Sequence, residues 1–188
     1  MRLVILDGFT ANPGDIGWDM LEQLTTAEGE KIEIAIYERT APSETLCRAR
    51  GAELLLTNKV IINDEIMSQL PELRYIGVLA TGYNVVDIKA AQKRGITVTN
   101  IPAYSTASVA QMVTAHLLHI TQQVGPHSQA VREGAWQQST DFCFWNEPLT
   151  ELSGMTMCIV GLGNTGMATA RIAQSLGMQV MAWTSKSK

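Results

Sequence analysis

The sequence has few residues of the kinds that build disulfide frameworks or metal sites. Only three cysteines and three histidines occur in 188 residues. Cys47, Cys143 and Cys158 are scattered and odd in number, and no CxxC or HxxxH spacing occurs, so the sequence predicts neither disulfides nor a metal site. We expect reduced, buried thiols in a cytoplasmic protein.

Long apolar runs and an excess of positive charge are also absent. No apolar run approaches the roughly 18 residues that a membrane-spanning helix requires. Residues 2–6 predict a strand, and Asp7 follows at once, so the N-terminus does not predict a signal peptide. The net charge of −4 argues against nucleic acid or an acidic membrane surface as a partner.

Alternating strand and helix patterns fill the first hundred residues. Strands are predicted at residues 3–7, 32–37, 53–57, 75–79 and 96–98. Helices are predicted between them at residues 17–26, 43–50, 64–70 and 87–93. This alternation predicts an α/β fold with a flavodoxin-like parallel sheet.

A long helix is predicted after residues 100–102, where Pro102 ends the last strand. Ser105 or Thr106 can cap it. Apolar residues then recur at three- and four-residue steps: Val109, Met112, Val113, Leu117, Ile120 and Val124. We expect Gly125 and Pro126 to interrupt the helix, and residues 133–148 to form an arm or surface loop.

A glycine-rich turn, Gly161-Leu162-Gly163-Asn164-Thr165-Gly166, lies between an apolar strand pattern and a helix pattern. A second strand is predicted at residues 178–183. This context favours a dinucleotide-binding Rossmann unit over a glycine-rich turn of an ordinary β-α-β unit. Gly161 would permit the tight turn, Gly163 would let the backbone approach a pyrophosphate, and Gly166 would let helix and strand pack closely. The N–H groups at the helix start suit phosphates.

The residues after the second strand leave NAD and NADP both open as cofactors. An acidic residue is expected there to bind the ribose hydroxyls. The sequence has Thr184, Ser185 and Lys186 instead. Thr184 and Ser185 can still hydrogen-bond a ribose. Lys186 could receive a 2′-phosphate with Ser185, or belong to a solvated tail.

Two loops at the carboxyl ends of predicted strands are candidates for binding an anion. In residues 80–84, backbone N–H groups around Gly82 can converge on a carboxylate. In residues 57–59, Lys59 can add a positive charge. Both segments are also compatible with an ordinary turn and a solvated lysine. The three histidines, His116, His119 and His127, fit packed or surface positions better than catalytic ones.

Taken together, five segments resemble the D-isomer-specific 2-hydroxyacid dehydrogenases, and most closely the glycerate dehydrogenase (hydroxypyruvate reductase) branch. The likeness extends over essentially all 188 residues. The matching segments are residues 57–60 (TNKV), 79–87 (LATGYNVVD), 95–111 (GITVTNIPAYSTASVAQ), 141–145 (DFCFW) and 151–154 (ELSG), the last running into the glycine-rich turn.

The resemblance implies a substrate domain at residues 1–99 and an NAD(P)-binding Rossmann domain at residues 100–188. The reaction would be hydride transfer between NAD(P)H and a small 2-oxo acid such as hydroxypyruvate or glyoxylate. Its implied site residues are Lys59, Ala80, Thr81 and Gly82 for substrate, with Thr81 also beside the nicotinamide. Asn164 and Thr165 would contact the pyrophosphate, and Thr184 would replace the usual ribose-binding Asp. The long helix and the arm would build a homodimer.

The chain also departs from the family pattern. Asn164 stands where an Arg is common. The resemblance implies that the family's catalytic Arg, Glu and His, and the helix that closes its substrate domain, would lie downstream of Lys188. We therefore expect a C-terminally truncated chain with an incomplete Rossmann domain, no catalytic residue and no activity alone. The alternative is a non-catalytic module for NAD(H)-dependent binding or self-association.

Overall fold

A computed structural model describes residues 1–185 and divides the chain into two compact units, Met1–Pro102 and Ala103–Lys188. The division falls after Pro102 rather than after residue 99. The reason is local, because Asn100 and Ile101 hydrogen-bond to the segment that follows the fourth strand of the first unit.

The first unit contains a five-stranded, all-parallel sheet. Its strands are β1 (Arg2–Ile5), β2 (Glu33–Ile36), β3 (Leu54–Thr57), β4 (Tyr75–Val78) and β5 (Thr97–Thr99). Their order is β2-β1-β3-β4-β5. This is the flavodoxin-like order. The predicted α/β fold with a flavodoxin-like sheet is therefore confirmed.

The core of the first unit lies on this sheet. A row of apolar residues crosses all five strands in register: Ala35, Val4, Leu55, Ile76 and Val98. The three central members of the row are fully buried. Central strands with such buried residues are typical of parallel sheets that are covered on both faces. Short apolar runs in the sequence therefore predicted these strands well.

Short helices connect these strands. They are α1 (Gly8–Ala11), α2 (Asp19–Glu22), a 3-10 turn (Pro42–Glu44), α3 (Thr45–Ala49), α4 (Asp64–Ser68) and α5 (Ile88–Lys93). Side chains cap two of them, because Asn63 accepts from the Ile66 N–H and Asp87 from the Ala90 N–H.

The prediction of a helix at residues 17–26 is wrong. Only Asp19–Glu22 is helical, and α1 was not predicted. Thr25 forms an antiparallel bridge with Lys31, and the Thr26 N–H donates to the Glu30 carbonyl. The backbone at this point therefore closes a tight turn and is not available to continue a helix.

The second unit consists of helices and a two-stranded parallel sheet. Its elements are α6 (Thr106–Gln122), α7 (Val124–Arg132), α8 (Ala135–Gln138), β6 (Thr156–Val160), α9 (Asn164–Ser175) and β7 (Gln179–Trp183). A small core of Leu152, Ala173 and Met178 packs against Leu117 and Leu118 of α6. The predicted strand–turn–helix–strand unit is present, and the predicted arm contains the short helix α8.

The break in the long helix lies at Gln123, not at Gly125 and Pro126. Gln123 has left-handed backbone angles, with φ of 52°. Gly125 and Pro126 instead lie in the first turn of α7. Proline is tolerated in the first turn because the N–H that it lacks would have no intrahelical partner there.

The apolar stripe predicted for the long helix does not mark its buried side. Val109, Met112, Val113 and Ile120 are all exposed. Ala110 is the buried residue of α6, and the helix packs on α9. Apart from Leu117, which packs against the small core, the stripe is therefore an uncovered apolar surface.

The expectation that the thiols are buried is also wrong. Cys47 and Cys158 are exposed, Cys143 is half-buried, and all three are free. Cys158 lies on the uncovered face of β6. Between residues 1 and 185, no helix has the length and apolar character needed to cross a membrane.

Candidate substrate and dinucleotide sites

The predicted carboxylate-binding turn follows β4 at the carboxyl edge of the first sheet. The Leu79 N–H donates to the Thr57 carbonyl at 2.8 Å, which keeps the chain beside β3 up to this point. Ala80 is buried, whereas Thr81 and Gly82 are exposed. The turn therefore has a fixed base and an accessible tip.

Three hydrogen bonds between this turn and residues 100 and 101 hold the turn in place. The Ile101 N–H donates to the Ala80 carbonyl at 3.1 Å, and the Asn100 side-chain amide donates to the Thr81 carbonyl at 2.8 Å. The Thr81 hydroxyl donates to the Ile101 carbonyl at 3.1 Å. Among residues 1–185, the N–H groups of Thr81 and Gly82 have no acceptor. Adjacent N–H groups of this kind can bind an anion.

Asn100 is a residue whose role the sequence did not reveal. Its position suggested only the end of a strand. Because β5 pairs with β4, the carboxamide that follows β5 lies beside the turn that follows β4. The signal that could have found it is an amide side chain at the end of the strand next to a candidate binding turn.

The second candidate loop, at Lys59, follows β3 at the same edge of the sheet. The Thr57 hydroxyl bonds both the N–H and the carbonyl of Val60 at 3.1 Å, which closes the loop as a compact turn. Lys59 is exposed, and no carboxylate lies within ion-pair distance of it in the described part of the chain. Its ammonium group thus forms no salt bridge with the described residues.

The two loops are adjacent along the sheet but line different cavities. Lys59 lines a cavity of about 690 Å³ with Asp7, Thr10 and Arg39. This volume is within the usual range for ligand pockets. A second cavity, of about 340 Å³, lies beside Tyr83 and is lined by Ile88, Gln92, Ile96, Val98, Thr99 and Asn100. Thr81 and Gly82 line neither cavity.

In the second unit, the three glycines of the glycine-rich turn each meet a different steric requirement. Gly161 has φ of +97°, a conformation that other residues rarely adopt. A Cβ on Gly166 would lie 2.1 Å from the Gly161 carbonyl oxygen. A Cβ on Gly163 would meet no atom within 4 Å. The fold therefore requires Gly161 and Gly166, whereas Gly163 leaves its backbone accessible to a ligand.

The N-terminus of α9 is arranged to receive an anion. Its first intrahelical bond runs from the Met167 N–H to the Gly163 carbonyl at 2.8 Å, so the N–H groups of Asn164, Thr165 and Gly166 precede it. No side chain caps this end. Uncapped N–H groups together with the positive end of the helix dipole favour a phosphate. The structure therefore fits a dinucleotide pyrophosphate at this turn.

The end of β7 lies next to the same turn. The Gly161 N–H donates to the Trp183 carbonyl at 2.8 Å. Thr184 and Ser185 follow directly and are exposed. Lys186, the third residue predicted to contact the cofactor, lies outside the described residues.

The histidines do not form an oriented acid–base group with a carboxylate. His116 and His119 are exposed on α6. The His127 Nδ1 is 3.1 Å from the Gln123 carbonyl oxygen, and its ring lies 5.9 Å from that of Phe144. Within residues 1–185, none of the three forms an ion pair with Asp or Glu, and no cluster of three metal-ligating side chains is present.

A family model described as "D-isomer specific 2-hydroxyacid dehydrogenase, catalytic domain" matches residues 11–188. The chain belongs to this family. The membership predicted from the five matching segments together is thereby confirmed, and the family is one of oxidoreductases.

Curated relatives of this chain include proteins of the predicted branch. It is 47% identical over 186 residues to a hydroxypyruvate reductase of Blautia hydrogenotrophica, covering 97% of this chain and 56% of that protein. It is 38% identical over 148 residues to a glycerate dehydrogenase of Methylorubrum extorquens, covering 78% of this chain and 47% of that protein. The chain thus spans about half the length of these relatives.

The fold of the chain is also found in solved structures. The TT0316 protein of Thermus thermophilus matches with a TM-score of 0.76 and 27% sequence identity. That match covers 100% of this chain and 57% of the solved one.

Proposed function

We propose that this chain supplies the carboxylate-binding turn and the dinucleotide-binding turn of an NAD(P)-dependent 2-hydroxyacid dehydrogenase. The substrate is a small 2-oxo acid such as hydroxypyruvate or glyoxylate, which is interconverted with its 2-hydroxy acid. The observation that carries the proposal is the turn at Thr81 and Gly82. Its carbonyls are held by Asn100 and Ile101, and its N–H groups have no acceptor among the described residues.

The substrate contacts proposed in the first unit are electrostatic. The N–H groups of Thr81 and Gly82 donate to the substrate carboxylate, and Lys59 adds a positive charge at the same sheet edge. Ala80 lies at the buried base of the turn and fixes its height above the sheet. Hydrogen bonds to a charged carboxylate are roughly twice as strong as neutral ones, so an uncharged turn can bind the acid.

The proposed cofactor residues are those of the second unit, together with Thr81 beside the nicotinamide. The turn of Gly161, Leu162, Gly163 and Gly166, with Asn164 and Thr165, holds the pyrophosphate. Thr184, Ser185 and Lys186 meet the adenosine ribose or its 2′-phosphate, which leaves both NAD and NADP open. When bound, the nicotinamide donates or accepts the hydride, and the protein orients the substrate.

We also propose that the 188-residue chain binds its ligands without turning them over, in the cytoplasm, where free thiols remain reduced. Its histidines are on α6 and α7 and none is oriented by a carboxylate within the described residues. An oriented acid–base group typically contributes about 10²- to 10⁴-fold to the rate. The residues that we assign bind the substrate and the cofactor. None of them is a proton donor for the reaction.

Calorimetric titration and an absorbance assay test this proposal on the same preparation. We expect saturable binding of NADH or NADPH and of hydroxypyruvate, with no measurable nicotinamide oxidation. Turnover at ordinary enzyme rates would contradict the inactivity, and absence of binding for both ligands would contradict the assigned sites. Self-association that requires NADH, again without turnover, would favour the alternative of a binding module.

The exposed stripe of α6 supports a homodimer as the proposed assembly. Met112 and Ile120 are 58% and 67% exposed, and the arm adds exposed Trp136 and Trp145. Contiguous exposed apolar residues commonly mark a protein interface.

Charges placed on this stripe are expected to separate the dimer. In sedimentation velocity, wild type should be a dimer, and a Met112→Glu, Ile120→Glu double variant should be a monomer, because the charges would be desolvated in the interface. Gln111→Glu, on an exposed residue beside the stripe, is the matched control and should stay dimeric. A monomeric wild type, or a double variant that remains dimeric, would contradict the assignment.

A further inference from the structure

Asp7 is a buried carboxylate to which the functions above give no role. It follows β1 and immediately precedes α1, where an aspartate usually caps the helix. Its side chain makes no capping bond to α1. The residue is nevertheless buried, with only 4% of its surface exposed. A buried charge is costly unless it is hydrogen-bonded, so its partners indicate what it does.

Both oxygens of this carboxylate bind the backbone of the Lys59 loop. Oδ1 accepts from the Asn58 N–H at 2.7 Å, and Oδ2 accepts from the Lys59 N–H at 2.6 Å. Bonds of this length to a charged oxygen are among the stronger ones in proteins. The carboxylate thus bridges two successive N–H groups that would otherwise be left without a partner where Asn58 is buried.

A second set of bonds ties the same loop to the same place. The Asn58 side-chain amide donates to the Thr10 hydroxyl at 2.9 Å, and that hydroxyl donates to the Asp7 carbonyl at 3.0 Å. The sheet order explains the contact, because β1 and β3 are neighbours and the ends of both strands meet at one edge. The backbone of Lys59 is therefore fixed while its side chain is exposed at the cavity that Asp7 also lines.

We propose that Asp7 is a positioning residue that fixes the backbone of Asn58 and Lys59 and thereby directs the Lys59 ammonium to the substrate carboxylate. The inference rests on the proposed function of Lys59. Asp7 itself does not contact the substrate. Its effect on substrate binding is transmitted through Lys59, and this separates it from a residue that only supports the fold.

A double-mutant cycle between Asp7 and Lys59 tests whether Asp7 affects substrate binding through Lys59. Hydroxypyruvate affinity is measured by calorimetry for the 188-residue chain, Asp7→Ala, Lys59→Ala and the double variant. We expect each single variant to bind about tenfold more weakly, the effect of one charge-assisted hydrogen bond. The double variant should be no weaker than Lys59→Ala alone, because groups that act through each other are not additive.

Two further variants serve as a replacement for Asp7→Ala and as a control. Asp7→Asn keeps the volume but presents an amide N–H₂ to one backbone donor, so it should weaken binding like Asp7→Ala and replaces it if that variant does not fold. Asp64→Asn removes an exposed carboxylate that pairs with Arg94, and it should leave the affinity unchanged. Equal losses from Asp7→Ala with and without Lys59, or no loss at all, would overturn the proposal.

Amide hydrogen exchange tests, without substrate, whether Asp7 holds the backbone of Asn58 and Lys59. In wild type the Asn58 and Lys59 amides should be protected, and in Asp7→Asn they should exchange at least about tenfold faster while β1 and β3 keep their protection. Unchanged exchange at both amides would overturn the proposal. Protection lost in the variant, combined with a wild type that binds no hydroxypyruvate, would support the anchoring by Asp7 and overturn the function assigned to Lys59.

Discussion

Replacing Gly166 with alanine is expected to weaken dinucleotide binding by about 100-fold or more and to lower the stability of the second unit. The new Cβ would lie 2.1 Å from the Gly161 carbonyl oxygen, a backbone atom that can move only if the turn opens. Overpacking typically costs about 1–3 kcal/mol of stability. Loss of two helix-start N–H bonds to phosphate, each about 1.5–3 kcal/mol, would lower the affinity for NADH or NADPH by about 100-fold or more.

The Gly163→Ala variant distinguishes an effect on ligand binding from an effect on stability. Its Cβ meets no protein atom within 4 Å, so thermal unfolding should be unchanged. The methyl group would nevertheless occupy the space that a pyrophosphate needs, and calorimetry should show weakened binding. Gly125→Ala is the neutral control, with an ordinary contact of 3.4 Å to His119. If Gly163→Ala binds the dinucleotide as wild type does, the pyrophosphate does not lie on this turn.

Removing the Gly82 N–H is expected to weaken the binding of the 2-oxo acid by about 10- to 100-fold. In Gly82→Pro the N–H is lost, and a hydrogen bond to a charged group is worth about 1.5–3 kcal/mol. The measurement is the dissociation constant of hydroxypyruvate by calorimetry, with NADH binding followed in parallel. NADH binding should be retained, because the glycine-rich turn belongs to the other unit.

Gly82→Ala is the matched control for this second prediction. It keeps the N–H, and its Cβ would meet only the Asn84 side-chain oxygen at 3.3 Å, which a small rotation relieves. Alanine should therefore bind hydroxypyruvate within about fivefold of wild type, since a side-chain adjustment of this kind costs up to about 1 kcal/mol. Equal losses in the alanine and proline variants would show that the turn acts by shape and not through its N–H group.

The sheet could be predicted from the sequence because its signal is local. The three central strands of the first unit, β1, β3 and β4, are short, mostly apolar runs that are largely buried, so composition alone marks them. The glycine-rich turn is local as well, since Gly161 and Gly166 meet within one short segment. These strands and the glycine-rich turn were therefore found with their bounds nearly correct.

The anchoring of the candidate loops was not predictable in this way. Asp7 bonds residues 58 and 59, and Asn100 bonds Thr81, so each contact depends on which strands are neighbours. The break at Gln123 was also missed, because a left-handed glutamine has no compositional signal, whereas the adjacent Gly125 and Pro126 have a strong one that helix α7 accommodates. The apolar stripe of α6 predicted a helix correctly, but a pattern does not reveal what covers it.

Residue-resolved amide chemical shifts can locate the dinucleotide and the 2-oxo acid on the chain. The 188-residue chain, labelled with ¹⁵N, is titrated separately with NADH, NADPH and hydroxypyruvate. We expect a dinucleotide to shift the amide signals of Gly163, Asn164 and Thr165, and hydroxypyruvate to shift those of Thr81 and Gly82. Saturable binding that leaves both sets unmoved, or shifts confined to residues elsewhere, would contradict this expectation.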